Sequence, residues 1–278
     1  MFAISPEELK KRIDLKKIDF IFDLRNPDEF EAWRIEGKTA IPALNIPQTD
    51  FVGEEERYLE RFPKDVQIVA ICAHGDSSRY SAELLRGRGF DAVSLDGGMD
   101  AWSELYETHR ISERPDVYQI FRVARGCISH LLVSGSEAVV IDAVRHVDRL
   151  VGLAYSLNAR IVHVLDTHLQ ADHISGGVEI ARRTGAEYHI SPDDASPATF
   201  SYQPLRDAEV ISFGRSSIEV HLSPGHTPGS ASFLLDKRFL FTGDTIMKTS
   251  IGRPDLGGRA EEWSRLLYDT LFHRYEGL

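Results

Sequence analysis

The sequence predicts two α/β domains in tandem. The first covers residues 1–106 and alternates strands with helices. A linker over 107–117 follows, then a strand-rich domain over 118–278. Three observations carry this reading. A chain of 278 residues exceeds one typical domain. The run Gln67-Ile68-Val69-Ala70-Ile71 is almost wholly apolar, as strands of a parallel sheet covered on both faces tend to be. The stretch Ser103 to Val117 is polar, charged and interrupted by Pro115, the composition of a surface connection.

The elements of the first domain follow in order. Ser5-Pro6-Glu7-Glu8 starts a helix, with a capping serine and proline at the first helical position. Phe20 to Leu24 is a buried strand, and Asn26-Pro27-Asp28-Glu29 opens the next helix. After the strand at Gln67–Ile71 comes Cys72-Ala73-His74-Gly75-Asp76-Ser77, and a helix begins at Ser78. A cysteine between a strand's C-terminal end and a helix N-terminus meets converging backbone N–H groups, which favour negative charge on sulfur. Such a sulfur can carry a sulfane sulfur as a bound persulfide.

In the second domain, strands fall at Gln119–Val123, Ser129–Val133 and Ala138–Ile141, with a turn at Gly135-Ser136. A helix covers Val147–Leu157, a strand Ile161–Leu165 and a helix Glu179–Thr184. Ile218–Leu222 is a strand, Ser232–Leu235 and Arg238–Phe241 form a hairpin about Asp236-Lys237, and Glu261–His273 is helical.

Composition narrows the function. Hydrophobic residues make up 42% and charged residues 27%, an ordinary globular balance. A formal net charge of −11 disfavours nucleic acid as a partner. No apolar run is long enough to span a bilayer, and Met1 to Arg12 lacks an apolar signal core, so a cytoplasmic location without membrane partners is expected. The two cysteines, Cys72 and Cys127, lie in different expected domains and make no disulfide framework. Cys127 reads as a small hydrophobe. His163, His189 and His221, taken singly, read as hydrogen-bonded core residues.

Three segments stand apart: Thr167-His168-Leu169-Gln170-Ala171-Asp172-His173, Ser223-Pro224-Gly225-His226-Thr227-Pro228-Gly229 and Phe241-Thr242-Gly243-Asp244. Each sets a His or Asp just past a strand-like run, so one sheet edge can gather them. His168, His226 and Asp244 would make two imidazoles and one carboxylate, the facial set of mononuclear non-haem iron enzymes.

These segments resemble the metallo-β-lactamase superfamily, and within it the persulfide (sulfur) dioxygenases. That resemblance implies an αββα sandwich and one Fe(II) per chain on His168, His226 and Asp244, with zinc the lesser option. The hydrolases of the superfamily carry a second His where Gln170 stands, and an amide is a poor ligand for such metals. Gln170, Asp172 and His173 are then expected beside the ligands, orienting them. Ile251-Gly252-Arg253-Pro254-Asp255 resembles the strip beside the thiol substrate, with Arg253 a partner for a substrate carboxylate. The family pattern continues beyond the position of Leu278 with a further strand and His segment, so the sandwich is expected to be short there.

Residues 1–106 resemble a rhodanese, the sulfurtransferase domain. The resemblance rests on Asp23-Leu24-Arg25 with Pro27 and Glu29-Phe30, on Ala43-Leu44-Asn45-Ile46-Pro47, on the loop from Cys72, and on Leu95-Asp96-Gly97-Gly98-Met99 before Ala101-Trp102. It implies Cys72 as the catalytic sulfur carrier. Active members often place Arg where Ser77 stands, so a small persulfide is a better expected donor than thiosulfate, with His74 a partial substitute for the missing cation.

The expected activity is oxidation of a small thiol persulfide by O₂ to sulfite, coupled to sulfane-sulfur transfer. Glutathione, coenzyme A and bacillithiol are all open as the carrier thiol, and a homodimer is among the open states. A zinc thioester hydrolase of the glyoxalase II type and a non-catalytic sulfur-relay protein are the alternatives.

Overall fold

The structure is a computed structural model describing residues 2–17, 20–170, 174–196 and 198–276. It divides into two compact units. One comprises residues 1–107 with 122–126, the other 108–121 with 127–278.

In the first unit, parallel strands β1 (Ala3–Ile4), β2 (Phe20–Asp23), β3 (Ala43–Asn45), β4 (Ile68–Ile71) and β5 (Ala92–Leu95) are ordered β1-β5-β4-β2-β3. All four residues of central β4 are buried, because both faces of the sheet are covered. Period-two alternation splits its side chains between two cores. Ile68 and Ala70 pack with Phe22, Phe51, Phe62 and Leu85, whereas Val69 and Ile71 pack with Leu9, Leu95 and Trp102. The expected cap is present: Ser5 Oγ accepts from Glu8 N at 3.2 Å ahead of the helix Pro6–Asp14.

In the second unit, but for the end residues 106, 107 and 122, β6 (Tyr106–Glu113), β7 (Asp116–Arg122), β8 (Ile128–Ser134), β9 (Glu137–Ile141), β10 (Arg160–Leu165), β11 (Glu187–Ile190) and β12 (Gln203–Pro204) make a mixed sheet ordered β12 through β6. Strands β13 (Val210–Phe213), β14 (Ser216–Leu222), β15 (Ala231–Leu235) and β16 (Phe239–Phe241) make an antiparallel sheet. The two sheets pack face to face: Leu132, Val139, Ile141 and Leu165 meet Phe213, Ile218, Val220, Phe233 and Leu235 in one buried cluster. Helices Val147–Ser156 and Gly177–Thr184 lie against β10. The helix Ala260–Asp269 buries Trp263 and Leu267. At Gly225 any Cβ would sit 2.4 Å from Leu267 Cα, so glycine lets that helix approach the loop that carries His226.

The β15–β16 hairpin turns at Asp236 and Lys237, whose φ values are 49° and 54°. Such a pair of left-handed residues suits the twist of a tight hairpin.

The expected linker over 107–117 is corrected by the structure: these residues form most of β6 and the beginning of β7. The physical reason is position. β6 is an edge strand with mostly exposed side chains. Edge strands carry charge that discourages further pairing, so their composition imitates a linker.

Candidate functional site

In the first unit, Cys72 leaves the end of β4 and precedes the helix Asp76–Gly87. Its side chain is buried, and Sγ accepts from Gly75 N at 3.0 Å and Ser78 N at 3.4 Å. The thiol also lies 3.3 Å from Ser78 Oγ. Gly75 adopts φ +98°, which turns its N–H onto the sulfur. Gly98 closes the loop from the other side. A Cβ there would lie 2.4 Å from Cys72 O and 2.6 Å from Ala73 O. Met99 N and Asp100 N donate to those two carbonyls at 2.9 and 3.0 Å. The result is a sulfur cradled by backbone donors, the environment suited to holding a sulfur anion. His74 points outward and pairs with Asp100 at 2.6 Å, while Arg79 lies 3.8 Å from Asp76 on the following helix.

In the second unit, β10, β14 and β16 each end in a loop that carries one residue of the expected metal set. One ligand atom each of His168, His226 and Asp244 lies within 4.8 Å of the others. His226 Nε2 is 3.5 Å and His168 Nε2 4.0 Å from Asp244 Oδ2. The two imidazole rings are 4.8 Å apart and nearly perpendicular at 82°. Both histidines are buried, but the Asp244 side chain is 46% exposed, so the cluster opens on one side.

The hydrogen bonds fix which ring nitrogen faces the cluster. Arg253 O lies 3.1 Å from His226 Nδ1, and a carbonyl only accepts. Nδ1 therefore carries the proton, and the Nε2 lone pair points toward Asp244. For His168 the order runs through Thr167. Thr167 Oγ1 donates to the Asp142 carboxylate at 3.0 Å, leaving its oxygen to accept from His168 Nδ1 at 2.9 Å. Asp142 also accepts from Thr167 N at 2.7 Å. Two imidazole lone pairs and a carboxylate oxygen thus converge, a donor set that fits a divalent transition metal.

Gln170 Nε2 is 3.4 Å from both Asp142 Oδ1 and His168 Nδ1. Its amide therefore lies beside the ring nitrogen turned away from Asp244. Asp172 and His173 lie outside the described residues. Arg253 is joined to Asp255 by two 2.7 Å bonds, and this partner raises its pKa. Its backbone, not its guanidinium, is what touches His226.

Two residues of this architecture are absent from the sequence reading. Asp142 follows the apolar run of β9 just as His168 follows that of β10, a strand-end signal that was available. Asp194 gave no such signal. It is buried, and it accepts from Leu169 N at 2.8 Å, Thr227 Oγ1 at 2.7 Å and Gly229 N at 2.7 Å. One carboxylate thus ties the loop after His168 to the loop after His226. Asp194→Ala leaves three donors unmet, and is expected to lower the unfolding free energy by about 3 kcal/mol or more. Denaturant melts, with metal content after dialysis, check this. Wild-type stability together with wild-type metal retention would refute the strut assignment.

The rhodanese-like domain profile matches residues 5–105, and the metallo-beta-lactamase superfamily profile matches residues 123–273. The mitochondrial persulfide dioxygenase ETHE1 of Bos taurus is 34% identical over 157 residues, covering 51% of this chain and 61% of the relative. That of Homo sapiens is 37% identical over 122 residues, covering 43% and 47%. The hydroxyacylglutathione hydrolase of Fuscovulum blasticum is 36% identical over 138 residues, covering 49% and 53%. The chain thus spans less than two thirds of the length of these relatives. Among solved structures, ETHE1 from Myxococcus xanthus is 27% identical with a TM-score of 0.49, covering 63% of this chain and 71% of that one. By the two profile matches, the chain belongs to the metallo-beta-lactamase superfamily, with a rhodanese-like domain ahead of its metallo-beta-lactamase domain.

Proposed function

We propose that the chain is a mononuclear non-haem iron persulfide dioxygenase joined to a rhodanese-type sulfur carrier. The observation that supports this most is the position of Gln170. The cluster of His168, His226 and Asp244 is complete without it, while its amide faces Asp142 and the far side of the His168 ring. A two-metal hydrolase needs an imidazole at that position; a one-metal oxygenase does not. The relatives named persulfide dioxygenase agree with this reading.

The reaction balances as one persulfide, one O₂ and one water giving one thiol and sulfite. Both oxygen atoms of O₂ end on the outer sulfur, and water cleaves the sulfur–sulfur bond. Iron, when bound, supplies the redox chemistry that lets O₂ react with a closed-shell sulfur. The chain's own residues do the rest. Asp142 and Thr167 hold the His168 ring in one orientation, and Arg253 O holds that of His226. The exposed Arg253 guanidinium can exchange Asp255 for a substrate carboxylate at small cost, since water and salt screen a surface ion pair. Cys72 takes sulfane sulfur into its cradle and exchanges it with the same pool, either supplying persulfide or converting sulfite to thiosulfate. Two free cysteines suit a reducing compartment, and the reading places the chain in the cytoplasm.

The second reading is thioester hydrolysis with zinc, which the hydrolase relatives keep in view. An oxygen electrode separates the two. Anaerobically purified protein is expected to consume O₂ and release sulfite one for one with a glutathione-type persulfide, and to leave a hydroxyacylglutathione intact. Thioester cleavage without O₂ uptake would overturn the dioxygenase reading. Neither activity would leave a sulfur-relay role.

A further inference from the structure

His163, Glu187 and His189 bring three donors to one spot on the large sheet, apart from the His168 cluster. Taken singly, the two histidines look like core residues. The register puts them together: β10 and β11 are parallel, with His163 opposite Glu187 and Leu165 opposite His189. Side chains two residues apart on a strand share a face, so all three stand on one side of the sheet. The geometry points to a second divalent transition-metal site here, of the zinc class.

The separations support this. His163 Nδ1 lies 3.1 Å from His189 Nε2 and 3.4 Å from Glu187 Oε2, and His189 Nε2 lies 3.7 Å from the same oxygen. Ligands about 2.0–2.1 Å from a tetrahedral metal stand roughly 3.3–3.4 Å from one another, and a point about 2.1 Å from all three atoms exists. Two imidazoles with one carboxylate select zinc or a neighbouring transition metal over calcium or magnesium, which prefer oxygen alone.

The Glu187 side chain is 55% exposed while those of His163 and His189 are 17% and 6% exposed, so entry is from the glutamate side and water can fill the fourth position. The site would staple β10 to β11.

The inference is independent of the proposed activity, and its test reads metal binding only. Iron-loaded protein is titrated anaerobically with Co²⁺, followed by visible absorption, with iron and cobalt measured after gel filtration. The expected result is one additional equivalent. Its affinity should fall at least tenfold in Glu187→Gln and in His163→Gln while iron content stays unchanged. Glu187 is exposed, so its variant guards against misfolding. A His168→Ala chain should still take up the cobalt. No extra equivalent in the wild type, or an extra equivalent kept at wild-type affinity in both variants, overturns the site.

Discussion

His168→Ala is expected to lose essentially all bound iron, while Gln170→Ala keeps it. The contrast follows from where each side chain sits. His168 Nε2 faces Asp244, and its removal leaves one imidazole and one carboxylate, too few to hold iron through dialysis. Among the described residues, Gln170 reaches Asp142 and the opposite ring nitrogen of His168. Losing such a supporting contact typically costs about 10–100-fold in metal affinity, whereas losing a ligand costs more. Iron is measured in both variants after identical anaerobic dialysis, and the wild type should hold about one iron per chain. Gln170→His should keep that iron and offer a new imidazole for a second metal. Equal iron loss in Gln170→Ala and His168→Ala would make Gln170 a ligand, and two zincs per wild-type chain with full thioesterase activity would sink the mononuclear assignment.

How far this site could be read from the sequence depends on which part is considered. The strands that deliver His168, His226 and Asp244 are apolar runs ending in turn-forming residues, so local pattern placed them closely. That three distant ends meet within 4.8 Å came from a resemblance to a family, since no local rule links residues 168, 226 and 244. Asp194 shows the limit. Its short helix, Pro192–Ala195, reads as an ordinary polar turn, and nothing nearby says that its carboxylate collects two backbone N–H groups and a hydroxyl from loops 25 to 35 residues away. His163 and His189 each read as hydrogen-bonded histidines of the core, as they are, but that they bond to one another follows only from the β10–β11 register. The β6 strand was missed because an exposed edge and a linker carry the same residues.

Cys72→Ser is expected to abolish sulfur transfer and to leave oxygen uptake with a small persulfide within about twofold of wild type. The loss follows from chemistry: a hydroxyl at neutral pH is neither the nucleophile nor the sulfur acceptor that a thiolate is. The variant should fold, because a serine oxygen can still accept from Gly75 N and Ser78 N, the donors that now face the sulfur. The survival of oxygen chemistry follows from the separate construction of the two sites. The hydrogen bonds described for Cys72 come from residues 75 and 78, within the first unit. Those orienting His168 and His226 come from Thr167 and Arg253, within the second. Removing the sulfur therefore takes away none of the hydrogen bonds described for His168 and His226. The two rates are measured in parallel, as cyanide-dependent thiocyanate formation and as oxygen consumption with a glutathione-type persulfide, after circular dichroism has confirmed folding. If both fall together in the folded variant, sulfur must pass through Cys72 before it is oxidised, and the two sites form one obligatory route rather than two activities on one chain.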